Sequence, residues 1–148
     1  LLKLIEDPSS DIRKTAGALL ARERDLPLKT ITTLAESRHE ENRVLALILA
    51  ERLDADKSED LLMGLMLDDK AAVRRRAIAA IAERQIGEWR EILTDALIDD
   101  DAEVRRIGAA GLLQFGGEKG RQVLQAYLNS GKDEKLKQFI RFRLAVQP

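Results

Sequence analysis

Apolar and polar positions along this chain recur as a block about every thirty residues. Ile12-Arg13 is followed by Ala16 and Leu20, Asn42-Arg43 by Ala46 and Ala50, and Val73-Arg74 by Ala77 and Ile81. Val104-Arg105 is followed by Gly108 and Leu112, and a weaker copy runs through Leu136-Lys137, Ile140 and Leu144. The basic positions 13, 43, 74, 105 and 137 are separated by steps of 30, 31, 31 and 32. A fixed period in that range is the signature of a stacked repeat array.

Within each copy the spacing predicts two helices. Aliphatic pairs precede the basic residue: Leu1 and Leu4, Ile31 and Leu34, Leu62 and Leu65, Leu93 and Ala96, with Leu124 and Leu128 in the fifth copy. Steps of three and four place each pair on one face of a short first helix. A polar turn follows: Asp7-Pro8-Ser9-Ser10, Ser37-Arg38-His39, Asp68-Asp69-Lys70, Asp99-Asp100-Asp101 and Gly131-Lys132-Asp133. Asp and Ser oxygens there are expected to cap the next helix by accepting from its free N–H groups. The second helix is predicted to be longer, buried through stripes such as Ile12, Ala16 and Leu20. It should end near Arg24, Leu53, Gln85 and Phe115, before breaks at Asp25-Leu26-Pro27, Asp54-Ala55-Asp56, Ile86-Gly87-Glu88 and Gly116-Gly117. No segment alternates with period two for long enough to make a strand, so the expected fold class is all-α.

Composition narrows the field further. The chain has 148 residues, 45% of them hydrophobic, so a substantial core is expected. Basic and acidic residues nearly cancel, 25 against 26, which disfavours a nucleic-acid binder with a global basic charge. Cysteine is absent, excluding disulfides and thiolate metal sites. No apolar run approaches the length of a membrane span, and no signal peptide is visible. A cytoplasmic location fits these features. The chain opens at Leu1 inside a helical pattern, so we expect a piece of a longer protein.

The stretches Asp68-Asp69-Lys70-Ala71-Ala72-Val73-Arg74-Arg75-Arg76-Ala77 and Asp99-Asp100-Asp101-Ala102-Glu103-Val104-Arg105-Arg106-Ile107-Gly108-Ala109-Ala110 resemble HEAT-like repeats. They are most similar to the short type named after phycobilisome lyases. The resemblance covers nearly the whole chain. It departs at Asn42, where the family prefers an aliphatic residue, and at Lys137 and Ile140 of the fifth copy. It implies an α-solenoid of about five two-helix repeats over residues 1–148, a single domain, with the first repeat truncated at its N-terminus. It also implies that Arg13, Arg43, Arg74, Arg105 and Lys137 tie neighbouring repeats together through acids and carbonyls at the turns. A guanidinium suits such bidentate pairing.

The better functional candidates lie one position further on. Lys14, Arg75 and Arg106 share that register with Val44 and Gln138, and Arg22 and Arg52 are expected two turns along on the same helical side. In a HEAT stack this register lines the inner, concave surface. Ala18, Ala79 and Ala110 between the two rows would leave a shallow floor, while Glu51 and Glu83 interrupt the charge. The partner that fits is a protein or acidic peptide, with an ordinary solvated face as the competing reading. Other classes are weaker. Deoxyhypusine hydroxylases hold two irons on HEAT repeats with several His-Glu pairs, but His39 is the chain's one histidine and sits in a turn. Asp99-Asp100-Asp101 lacks the alternation of a calcium loop. Gly116-Gly117-Glu118-Lys119-Gly120 lacks the ending of a phosphate loop and reads as a helix break. Trp89 reads as a packing residue or rim anchor. We therefore expect no enzyme, no cofactor, no metal and no membrane partner. The expected function is a protein-interaction scaffold; a bilin lyase-like subunit and a HEAT-like nucleic-acid module are the alternatives.

Overall fold

The computed structural model describes residues 1–146. Among them are a 3-10 turn, Leu2–Glu6, and nine α-helices with no strand. The helices are α1 (Ser10–Leu20), α2 (Leu28–Ala35), α3 (Glu40–Ala50), α4 (Ala55–Leu65) and α5 (Ala71–Arg84). They continue with α6 (Trp89–Ala96), α7 (Ala102–Phe115), α8 (Gly117–Ser130) and α9 (Glu134–Val146). The 3-10 turn with α1, then α2–α3, α4–α5, α6–α7 and α8–α9, make five successive repeats. The chain divides into two compact units: Leu1–Ala77, and a second beginning at Ile78 within α5.

The apolar stripes bury largely as their spacing predicts. In the first unit Ile31, Leu34, Ala46, Ala50, Leu62 and Val73 are buried, and in the second Ile81, Leu93, Val104, Leu112, Leu124 and Ile140. Burying each large aliphatic contributes about 1.5–3 kcal/mol as an upper bound. Helix α8 is longer than expected for a first helix, matching the preceding α7 at 14 residues. It starts at once after α7, because Gly117 adopts a φ of +58° and Gly116 abuts Gly120. A Cβ on Gly116 would lie 2.7 Å from the Gly120 Cα. The break therefore falls at Gly116-Gly117, and Glu118, Lys119 and Gly120 belong to α8.

The first repeat differs from expectation. Ile12 is 42% exposed, and Leu1 and Leu4 are also open to solvent; Ile5 is buried in their place. Residues three apart eclipse in a 3-10 turn, so Leu1 and Leu4 still share a side, but that side lines an open cleft with Ile12 and Leu19. Only Ala16 and Leu20 of the predicted α1 stripe are buried. Helices α1 and α3 also stop earlier than predicted, at Leu20 and Ala50.

Asn42 is 2% exposed at a position that is aliphatic in the other copies. Its amide donates to the Ile5 carbonyl at 2.5 Å and to Ser37 Oγ at 2.9 Å. Ser37 in turn donates to Glu6. The substitution thus replaces apolar burial by a satisfied polar junction between the first two repeats.

The turns repeat one geometry. The side chains of Asp7, Ser37, Asp68 and Asp99 accept from the backbone N–H two residues on, at 2.8, 3.2, 2.9 and 2.8 Å. These residues fold the turn and do not cap the helix that follows it. Capping comes from later residues: Asp101 accepts from Glu103 and Val104 at the start of α7, and Asp133 from Leu136 in α9.

Candidate functional site

The recurring arginines sit on the first turn of each second helix, where the side chain can fold back over the preceding polar turn. Arg13 Nη1 donates to the carbonyls of Asp7 and Pro8 at 2.7 and 3.0 Å. Its Nε and Nη2 reach Glu41 of the next repeat at 2.9 and 2.7 Å. Arg43 repeats the pattern with the Ser37 carbonyl at 3.0 Å and with Asp68 and Asp69 ahead of it. Its Nε and Nη2 hold the two Asp68 oxygens at 2.5 and 2.8 Å. Arg74 Nη1 takes the Asp68 carbonyl at 2.8 Å. Arg105 takes the carbonyls of Asp99 and Asp100 and, with both Nε and Nη2, Asp133. Lys137 has a single ammonium and pairs with Glu134 of its own first turn at 2.8 Å.

These contacts set the charge states. The hydrogen bond to Asp68 raises the Arg43 pKa further. Burial works against the Asp68 carboxylate, but Arg43 and the Lys70 amide outweigh it and hold its pKa below the ordinary value. Glu41 is lowered by its own backbone N–H and then by Arg13, and Asp133 by the Leu136 amide and then by Arg105. The arginines of this row are committed to the fold, whereas Lys137, expected to tie repeats together, pairs within its own helix because a single ammonium meets the exposed Glu134 one turn back.

The neighbouring register is disposed differently. In the first unit Lys14 and Arg22 are exposed, and no side-chain partner for either occurs among the described residues. Arg75 is half-buried, next to half-buried Val44 in register. Arg22 and Arg52 lie in the turns just past α1 and α3, not on the helices. Arg52 donates to the carbonyls of Ala21 and Glu23 at 2.8 and 3.1 Å, so its charge answers the C-terminal end of α1. Glu51 meets Arg76 at 3.2 Å. Along the α1 side the free cations are therefore Lys14 and Arg22, with exposed Ala18 between them.

In the second unit Arg106 is exposed and touches Glu103 loosely at 3.8 Å. Its guanidinium lies 5.0 Å from the centre of the Phe139 ring on α9, and Arg143 approaches the same ring at 5.8 Å. The sequence reading missed this stack and the neighbouring Phe142, 65% exposed. The repeat alignment held the signal, since Phe142 occupies the register of Ala110. Trp89 is buried under Arg90, 4.2 Å from the ring centre, and packs as expected.

Open clefts lie elsewhere. One of about 630 Å³ in the second unit is lined by Leu97, Ile98, Tyr127 and Lys132 beside the Arg105–Asp133 pair. One of about 510 Å³ in the first lies between α2 and α4 over Gly64. No cluster of three or more acidic or histidine side chains suited to a metal ion occurs among the described residues. Among them no helix is long and apolar enough to cross a membrane.

The family model for HEAT repeats matches residues 58–142, from α4 into α9. No curated protein matches the chain.

Proposed function

The chain belongs to the HEAT-repeat family, and we propose that it is a protein-interaction module holding an acidic segment of a partner on the exposed side of its second helices. HEAT repeats generally serve as interaction scaffolds. One observation carries the finer reading. Beside the row of arginines that the fold consumes stand exposed cations that it uses little: Lys14 and Arg106 one residue on, and Arg22 just past the end of α1. Lys14 and Arg22 stand exposed beside Ala18, and Arg106, also exposed, makes a loose pair with Glu103 and a contact with the Phe139 ring. Exposed like charges beside small residues attract an acidic chain and let its backbone approach closely.

The test reverses Lys14 and Arg22 to Glu and compares affinity capture from nuclease-treated lysate with the parent. Exposed sites tolerate such changes, so the melting temperature should stay within a degree or two of the parent's. An acidic protein captured by the parent should fall more than tenfold, about 1.4 kcal/mol. The same proteins captured equally by both forms would leave the face without a role in binding.

A further inference from the structure

Helix α9 carries Lys135, Lys137, Arg141 and Arg143 against one acid, Glu134. Lys137 neutralises that acid, and by helical spacing Lys135 lies on the outer side of α9 with Arg143 flanking it. The same side bears an apolar stripe. Lys135, Phe139, Phe142 and Val146 follow one another at steps of four, three and four, which sets them along one face of the helix. Phe142 and Val146 are 65% and 56% exposed. The guanidinium groups of Arg106 and Arg143 lie 5.0 and 5.8 Å from the centre of the Phe139 ring, which keeps both cations beside the stripe. On α7, the register of Phe142 is filled by Ala110, half-buried and small. The α7–α9 surface therefore steps from a low floor at Ala110 to a wall at Phe142, with cations on its rim.

We propose that this face binds an acidic segment of a partner protein, seating one large aliphatic or aromatic side chain against Phe142 above Ala110, with carboxylates on Arg106 and Lys135. The proposal rests on the interaction-module reading and gives it an anchor in the second unit. A central apolar contact ringed by charge is the arrangement that concentrates binding energy in protein interfaces. Two other occupants fit less well. A second copy meeting this face with its own would set cations against cations. A phosphate backbone would use the arginines but leave the Phe142–Val146 stripe without a role.

Selection of a random peptide library on the intact protein tests this, followed by anisotropy measurements on the enriched peptides. They should be net acidic and carry a Leu, Ile, Phe or Trp. Phe142→Ala and Arg106→Gln should each weaken them at least tenfold, with circular dichroism unchanged and the melting temperature lowered by a few degrees at most, the loss of the exposed Arg106 contact with Phe139 in Arg106→Gln being small. Failure to enrich any peptide, enrichment of basic ones, or binding indifferent to Phe142→Ala overturns the proposal. Peptides indifferent to both of those changes but lost in the Lys14→Glu, Arg22→Glu form overturn it while leaving the interaction-module reading standing. A single-stranded oligonucleotide that displaces the peptides and loses its own affinity with Phe142→Ala would assign the face to nucleic acid. A dimer of the parent abolished by Phe142→Ala would assign it to self-association.

Discussion

Replacing Arg43 by alanine removes the best-formed link between two repeats. The Arg43 and Asp68 side chains are 11% and 7% exposed, so the mutation strands a carboxylate that has almost no access to water. Asp68 would keep the Lys70 N–H and lose both guanidinium bonds, and the Ser37 carbonyl would lose its donor. Removing one partner of a buried pair costs about 3–5 kcal/mol. Here the third contact, to Asp69, is made at a side chain 70% exposed, and water can enter from that side. We therefore expect a loss of about 2–4 kcal/mol, below the fully buried case but above the loss of one ordinary hydrogen bond. Asp69→Ala should cost less than about 1 kcal/mol, as exposed pairs do. Asp68→Asn keeps an oxygen for Lys70 and removes the charge, so it completes a double-mutant cycle with Arg43→Ala. Urea unfolding followed by circular dichroism supplies the four free energies. Equal, sub-kilocalorie losses for Arg43→Ala and Asp69→Ala would refute the assignment of this arginine to the fold.

Four further outcomes are expected. Asn42→Val should destabilise by about 1–2 kcal/mol in the same assay despite its apolar gain, because the Ile5 carbonyl and Ser37 lose their donor. Gly111→Ala should lower the melting temperature, since its Cβ would fall 2.7 Å from Leu93 Cδ1 and 3.3 Å from Ala82. Gly64→Ala meets nothing within 4 Å and should raise stability by up to about 1 kcal/mol through helix propensity. Glu41, Asp68 and Asp133 have folded pKa values below their ordinary ones. Their contribution is thus complete above the unfolded values, near pH 4, and is lost as pH falls through the folded ones. Stability should be level from pH 7 to about 5 and drop below that, less steeply in Arg105→Ala, where Asp133 is no longer held down by a cation.

What was legible in the sequence was what a periodic pattern can encode. The thirty-residue step located five helix pairs, and the acids around each arginine foretold its ties to the turns at Arg13, Arg43 and Arg105. What was hidden depended on partners far along the chain or on helix ends. Asn42 looks like a defect until the Ile5 carbonyl, thirty-seven residues away, is placed above it. Ile12 has the same spacing as Val73, yet one is exposed and the other buried, because burial belongs to the neighbour as much as to the residue. Arg22 and Arg52 fit a helical register that the helices do not reach. The Phe139 stack was missed because it joins Arg106 to a residue one place off its own register in the next repeat, Phe139 and not Gln138.

The arginine ladder also makes the repeats non-interchangeable. Each arginine treats its own turn alike, gripping carbonyls five or six residues back. The acid it finds in the next repeat varies: Glu41 inside that repeat's second helix, Asp68 and Asp69 in its polar turn, Asp133 at the cap of its second helix. The grammar is shared, but each junction is spelled differently. A shuffled or duplicated repeat would bring a correctly placed guanidinium to a neighbour whose carboxylate stands at the wrong offset. Engineering by repeat exchange would have to move the acid together with the arginine that precedes it, cutting the chain within repeats and not between them.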